Sequence, residues 1–180
     1  MRMPKEFFTI GHATRPIAVF IELLNEAEVR LVVDVRTAPH SRTNPQFNRD
    51  ALDASLAMFD IEYYHIADLG GHRPRQKQIP VGTNAFWQNQ SFHNYADFAM
   101  SRAFQSGLDE LREVGHAKRS AIMCAETLWW RCHRRIIADY LLAAGEMVFH
   151  ILGPGHIEEA HMTPAAKPRP DGVLIYPANS

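Results

Sequence analysis

The chain has 180 residues, of which 46% are hydrophobic and 22% are charged, and its net charge is −1. This composition excludes a disordered chain, and the length fits one domain with its own hydrophobic core. The near-zero charge excludes a general polyanion binder, but 15 arginines against 4 lysines favour forked recognition of phosphate or carboxylate groups.

The first half of the chain alternates predicted strands with predicted helices. An apolar run at residues 7–10 predicts a strand, and apolar residues at helical spacing over 17–24 predict a helix after it. Residues 31–35 form a β-branched apolar run that predicts the second strand. A helix that Asn48 can cap is expected to run to residue 59, and residues 61–66 predict the third strand.

The second half begins with an irregular section from residue 68 to about residue 90, a length that is uncommon in a compact domain unless the loop is functional or mobile. The remaining predicted elements are, in chain order, helices at 94–98 and 104–114, a strand at 120–124, a helix at 131–144 and a strand at 147–151. Apolar strands joined by helices are typical of a parallel sheet that is covered on both faces. We therefore expect a Rossmann-like three-layer α/β sandwich with a mostly parallel sheet of about five strands over residues 1–162, followed by a proline-rich tail at 163–180.

The lengths of the apolar runs predict the cellular location of the protein. The residues after Met1 form no apolar stretch of signal length, and no run approaches the roughly 18 residues that a membrane span requires. We expect a cytoplasmic protein without a membrane partner. In that compartment Cys124 and Cys132 are expected to be free thiols.

Ionisable residues follow the carboxyl ends of the predicted strands. His12 follows the first strand, Asp34 and Arg36 end the second, and Cys124 and Glu126 end the fourth. The predicted helix at 131–144 opens with Arg131, Cys132, His133 and Arg134. Because ligands of open parallel sheets bind at this edge, the sequence predicts one anion-binding cleft there.

Short motifs at the same positions resemble a known family. They are Thr9-Ile-Gly-His12, Val33-Asp-Val-Arg36, Ser41-Arg42, Asn44-Pro-Gln-Phe-Asn48, Leu69-Gly-Gly71, Tyr95-Ala-Asp97, Met123-Cys-Ala-Glu126 and Trp130-Arg-Cys-His-Arg134. From about residue 8 to His161 the chain resembles the family catalogued as domain of unknown function 488. The resemblance implies no established reaction and no cofactor. Its motifs extend the substrate-binding candidates to Ser41, Arg42, Gly70, Gly71 and Tyr95.

The leading hypothesis is an enzyme that binds a phosphate-bearing or other anionic small molecule, possibly of nucleotide type. A thiolate beside Arg and His at a helix start is nucleophilic, and carboxylates at neighbouring strand ends can divide acid and base roles. The catalytic candidates are therefore Cys124, Cys132, Glu126 and Asp34, and the anion-binding candidates that complete the set are His12, Arg36, Arg42, His133 and Arg134. The alternative for Asp34 is a structural role, in which it pairs with Arg36 or Arg134 and organises the cleft. The spacing Cys124-x6-Arg131 is one residue longer than the phosphatase-type loop, so that loop is not expected to close in the same way.

Two further hypotheses stay open. Residues 69–96 contain no acidic residue, and Phe86, Trp87, Phe92 and Tyr95 interleave with basic residues there, a pattern that favours a nucleic-acid or nucleotide binding module without catalysis. Cys124, Cys132, His133 and His12 offer zinc ligand types. Consecutive positions on a helix lie about 100° apart, which argues against Cys132 and His133 reaching one ion, so no metal ligand is assigned.

Overall fold

The computed structural model describes residues 3–178, and a six-stranded sheet forms its centre. The strands are β1 (Glu6–Gly11), β2 (Leu31–Asp34), β3 (Glu62–His65), β4 (Ser120–Cys124), β5 (Met147–Gly153) and β6 (His156–Glu159). Their order across the sheet is β3-β2-β4-β1-β5-β6, and every pair is parallel except the antiparallel pair of β5 and β6. All five predicted strands are confirmed, and β6 is an additional edge strand.

Helices cover both faces of the sheet. They are α1 (Ile17–Glu26), α2 (Arg49–Ala57), α3 (Gln90–Phe98), α4 (Arg102–Ala117) and α5 (Arg134–Ala143). Phe7 of β1 belongs to a core cluster with residues of α3, α4 and α5, whereas its neighbour Phe8 belongs to a second cluster with residues of α1 and α2. Because successive side chains of a strand point to opposite faces, two cores form and the three-layer sandwich is confirmed. Within residues 3–178, no helix combines the length and hydropathy that a membrane crossing requires.

Two helix starts differ from their predicted positions. Helix α3 begins four residues earlier than predicted, because the Asn89 side chain accepts hydrogen bonds from the backbone N–H groups of Ser91 and Phe92. Helix α5 begins later, at Arg134, because Trp129–Arg131 forms a separate 3₁₀ turn. Cys132 therefore precedes the helix, and the helical-spacing argument about it and the next residue does not apply.

The segment after residue 162 packs against α5 and against the long irregular section. It contains two short antiparallel strands, β7 (Lys167–Pro168) and β8 (Leu174–Ile175). Tyr176 is fully buried, and its hydroxyl donates to Asp139 Oδ2 of α5 at 2.9 Å. Its backbone N–H donates to Asn84 Oδ1 at 3.0 Å. The segment thus ties α5, whose first residues border the predicted site, to the loop opposite.

Candidate active site

A cleft of about 560 Å³ opens at the carboxyl edge of the sheet. It lies where the loops after β1, β2 and β4 meet residues 71–72 and the first turns of α3. The predicted site residues that line it are His12, Arg36, Ser41, Gly71, Tyr95, Cys124, Glu126, Cys132 and His133. Side chains that are far apart along the chain therefore converge, as the strand-end argument requires.

The other predicted residues lie outside this lining. Asp34 and Arg134 are buried behind it, at 0% and 1% exposure. Arg42 is exposed on the loop after β2, and Gly70 is buried beside Thr37. In this structure these residues do not present a side chain to a ligand in the cleft.

The lining is rich in nitrogen bases and cations. It includes Arg131, His40 and His72, which the sequence argument did not assign to the site. Glu126 is the one carboxylate among the lining side chains of the described chain. For His40 and His72 the signal that could have identified them was the absence of acids from residues 35–49 and 69–96, because these stretches supply most of the cleft wall.

Asp34 holds Arg36 in a fixed position at the end of β2. Asp34 Oδ1 accepts from the backbone N–H and from Nε of Arg36, both at 3.0 Å, and Oδ2 accepts from Nη2 at 2.8 Å. The Tyr63 hydroxyl donates to Oδ2, and burial together with this bond raises the pKa of Tyr63. Arg36 Nη2 also donates to the Phe47 carbonyl at 2.7 Å. The carboxylate is therefore engaged by Arg36, as the structural alternative for Asp34 predicted.

His12 is held as a neutral base beside this arginine. Its Nδ1 lies 2.8 Å from the Ala13 carbonyl, and its ring stacks on Phe47 with centroids 4.3 Å apart. Burial, supported by the positive charge of Arg36, lowers the pKa of His12 although the Ala13 bond opposes this shift. With Nδ1 donating to Ala13, Nε2 is the acceptor nitrogen and lies 3.4 Å from Arg36 Nη1.

The loop after β4 crosses directly over the end of β1. A Cβ atom on Gly11 would lie 1.8 Å from the carbonyl oxygen of Glu126, so glycine permits the crossing. Arg134 fastens the same loop by donating from Nη2 to the Glu126 carbonyl at 2.7 Å. Its Nη1 donates to Thr9 Oγ1 at 3.1 Å. Arg134 therefore organises the loop from below.

Both cysteines line the cleft. Cys132 is 6% exposed, and its Sγ accepts the backbone N–H of Arg134 at 3.4 Å and lies 3.5 Å from His133 Nδ1. Cys124 is 2% exposed, and its thiol donates to the Glu126 carbonyl at 3.7 Å. Both cysteines are free, as the sequence analysis predicted.

The pKa values of the two thiols are shifted in opposite directions. Burial opposes ionisation of Cys132, but the neighbouring Cys124 thiol, His133 and Arg134 together lower the pKa of Cys132 well below its usual value. Burial and the neighbouring Cys132 raise the pKa of Cys124 well above its usual value. Ionisation of the pair is therefore favoured at Cys132 and disfavoured at Cys124.

His133 connects Cys132 to the backbone just after β2. Its Nε2 donates to the Val35 carbonyl at 2.8 Å, which leaves Nδ1 facing Cys132. A Cβ atom on Gly71 would lie 2.6 Å from Nδ1, and Tyr95 packs edge-on against the ring with centroids 5.0 Å apart. The imidazole is thus fixed on three sides, and only its Nδ1 can exchange a proton with the sulfur.

A comparison with protein-family models gives one match, to a domain of unknown function, DUF488, over residues 16–141. The chain belongs to the DUF488 family. The matched range includes both cysteines and the loops after β2 and β4, whereas His12 and β5 lie outside it. Searches of curated proteins and of solved structures returned no match.

The zinc hypothesis finds no ligand cluster in this DUF488 chain. Within residues 3–178, no three or more His, Cys, Asp or Glu side chains are arranged to hold a metal ion. Two of the nitrogens that the hypothesis needs have protein partners, because His133 Nε2 faces the Val35 carbonyl and His12 Nδ1 faces the Ala13 carbonyl.

The backbone N–H groups after Cys124 do not form a phosphatase-type anion-binding loop. The N–H of Arg131 donates to the Leu128 carbonyl at 3.0 Å, and the N–H of Cys132 donates to the Trp129 carbonyl at 3.2 Å. These donors close a 3₁₀ turn instead of pointing at a common anion. The cysteine at the start of the motif, Cys124, is moreover the protonated member of the pair.

The aromatic residues of the long loop pack inward. Trp87 is buried and stacks on Phe92, with ring centroids 5.0 Å apart. Its ring also packs against that of Tyr176, with centroids 5.2 Å apart. The Arg135 guanidinium lies 5.0 Å from the Trp87 ring. Trp87 thus anchors the loop of this DUF488 chain and is not free to stack on a nucleic-acid base.

Proposed function

We propose that this DUF488 chain is an enzyme that binds an anionic small molecule in the cleft and attacks it with the Cys132 thiolate. The observation that carries the proposal is the environment of Cys132 Sγ, which accepts the Arg134 N–H and lies against His133 Nδ1 inside a mostly cationic cleft. A stabilised thiolate is a strong nucleophile at neutral pH.

The cleft is suited to a ligand that carries phosphate or carboxylate groups. Arg36 is held rigid by Asp34, and Arg131 is exposed at the cleft wall, so both can donate to an anion without prior rearrangement. The volume of about 560 Å³ is in the range of small-molecule sites, and it accommodates a ligand as large as a nucleotide.

Glu126 is the candidate general acid or base. Its carboxylate is exposed at the cleft, and Oε1 accepts the Leu128 N–H at 3.3 Å, which holds it at the rim. Asp34 is not assigned this role, because it is buried behind Arg36. A single carboxylate beside a thiolate fits proton transfer to or from a leaving group or a water molecule.

The proposal is tested by alkylating the protein with iodoacetamide from pH 5 to pH 10 and locating the adducts by mass spectrometry. We expect Cys132 to react as a thiolate well below pH 8.5, the usual thiol pKa, and Cys124 to stay unmodified in the folded protein. Phosphate, pyrophosphate and adenosine monophosphate at constant ionic strength should protect Cys132, because they occupy the cleft.

Matched arginine variants identify the anion-binding wall. Arg131→Gln should weaken protection by these anions several-fold, because the residue lines the cleft. Arg42→Gln, a change of equal charge at an exposed residue outside the lining, should leave the protection unchanged. An alkylation midpoint for Cys132 at or above that of an ordinary thiol would refute the proposal. So would anions that protect neither cysteine at any pH.

A further inference from the structure

We infer that Cys132 and Cys124 act in sequence, as the attacking and the resolving thiol of a dithiol–disulfide exchange with a negatively charged small-molecule disulfide. The inference rests on the proposed function, because it needs Cys132 as the nucleophile of an anion-binding cleft. What it adds is a role for Cys124 and a substrate class.

The position of Cys124 is the first argument. Cys124 and Cys132 line the same cleft and contact the same two residues, because the Cys124 thiol donates to the Glu126 carbonyl at 3.7 Å and Arg134, which donates to that carbonyl from Nη2, donates its backbone N–H to Cys132 Sγ at 3.4 Å. Both side chains are almost completely buried, so bulk water has little access to an adduct on Cys132. Cys124 is the other thiol that lines this cleft, so it can attack such an adduct within the molecule at a high effective concentration.

The charge on Arg134 is the second argument. This guanidinium is 1% exposed, and within residues 3–178 its Nε has no hydrogen-bond partner. Burial opposes its charge, but the two neighbouring thiols raise the pKa of Arg134 above its usual value. A fixed internal cation thus acts on both sulfurs and cannot leave with a ligand.

These charges give the two thiols an order of reaction. While Cys132 is a thiolate, its charge helps to keep Cys124 protonated. When Cys132 has formed a covalent bond, that negative charge is gone, whereas the charge of Arg134 still lowers the pKa of Cys124. Cys124 therefore becomes more acidic only after the first attack has taken place.

The steps balance as a two-electron reduction of the substrate. The Cys132 thiolate attacks one sulfur of R–S–S–R, which forms a mixed disulfide and releases R–S⁻. Cys124 then attacks the Cys132 sulfur of the mixed disulfide, its proton leaves with the second R–S group as R–SH, and a Cys124–Cys132 disulfide remains. An external dithiol returns the protein to its reduced form, and dithiothreitol supplies this role in the test.

The lining selects the charge of the substrate. Arg36, Arg131 and several histidines face a single carboxylate, Glu126, so a disulfide that carries carboxylates or phosphates is favoured over a cationic one. Three disulfides of similar size separate charge from reactivity. They are 3,3′-dithiodipropionate, which is anionic, bis(2-hydroxyethyl) disulfide, which is neutral, and cystamine, which is cationic.

The experiment mixes the reduced full-length chain with each disulfide, stops the reaction with acid, and measures released thiol and intact mass. Wild type should form the intramolecular disulfide and release two thiol equivalents, with the anionic disulfide reacting roughly tenfold faster than the cationic one at low ionic strength. Cys124→Ser should stop at the mixed disulfide on Cys132 and release one equivalent. Cys132→Ser should release none.

The outcomes separate the inference from the proposed function. If wild type also stops at the mixed disulfide while Cys132 retains its low alkylation midpoint, the relay is wrong and the proposed function stands. If Cys132 reacts neither with the disulfides nor early with iodoacetamide, both are wrong. If cystamine reacts as fast as dithiodipropionate, the substrate class is wrong. Should Cys124→Ser fail to fold, Cys124→Ala and the transient mixed disulfide in a wild-type time course give the same decision.

Discussion

The Asp34→Asn variant distinguishes a structural role of this carboxylate from a catalytic one. Asp34 is fully buried and accepts hydrogen bonds from three donors of Arg36 and from the Tyr63 hydroxyl. Asparagine keeps the shape but removes the charge, and Arg36, at 7% exposure, is left without its counterion. Breaking a buried ion pair costs about 3–5 kcal/mol. Because Arg36 keeps its bond to the Phe47 carbonyl, we expect a loss of about 3 kcal/mol of unfolding free energy, at the lower end of that range.

The assay is urea unfolding followed by tryptophan fluorescence. Asp171→Asn is the matched control, because Asp171 pairs with Arg169 at the surface, at 51% and 47% exposure, and should change stability by less than about 1 kcal/mol. The double variant Asp34→Asn with Arg36→Met should lose less than the sum of the two single changes, since each single change leaves a buried group unpaired. A stable Asp34→Asn protein that fails to turn over the disulfide would refute the structural assignment.

Two further predictions concern the surroundings of the thiolate. Gly71→Ala places a methyl carbon 2.6 Å from His133 Nδ1, so the imidazole ring must move and the pH midpoint for alkylation of Cys132 should rise. Gly82→Ala is the control, because its added methyl carbon meets no atom within 4 Å, and it should leave the midpoint unchanged. His150 has its pKa lowered to about 3 by burial and by a neighbouring guanidinium, so the folded state holds it neutral. Since its pKa in the unfolded chain is about 6.5, stability should fall by about 2 kcal/mol between pH 7 and pH 5, and His150→Gln should flatten this slope in urea unfolding. An unchanged slope in that variant would contradict the assigned shift.

The central strands of the sheet could be predicted because they are buried on both faces. Residues 31–35 and 120–124 are continuous apolar runs, which is the pattern that parallel central strands require. Strand β6 could not be predicted in this way, because His156–Glu159 is exposed at the sheet edge and has no apolar pattern. The start of α3 was signalled by Asn89, a common N-cap residue that the sequence argument did not use.

The sequence predicts which residues gather at the site, but it does not predict which of them face the ligand and which lie behind the cleft lining. The strand-end rule identifies which residues gather at one edge, and it needs only the strand positions. Whether a residue faces the ligand or supports the cleft from behind depends on how the loops cross. Arg134 lies below the cleft because the loop after β4 passes over Gly11 and because α5 begins at Arg134 itself. Neither feature has a signal in hydrophobic periodicity.

Several of the candidate catalytic groups already have hydrogen-bond partners within the protein, and this favours a cysteine as the reactive group. Asp34 accepts a hydrogen bond from Arg36, and His133 Nε2 donates to a backbone carbonyl. Asp34 and this imidazole nitrogen therefore hold neighbouring side chains in place and are not available for proton transfer. The Cys132 sulfur has no such fixed role: it accepts the Arg134 backbone N–H, lies 3.5 Å from His133 Nδ1 and belongs to a residue that lines the cleft, and it is therefore the nucleophile that we propose. A pair of carboxylates sharing acid and base roles would need Asp34 at the surface of the cleft, and it lies behind it. In the proposed relay the buried charge of Arg134 acts first on Cys132 and then on Cys124, because this guanidinium lowers the pKa of both thiols.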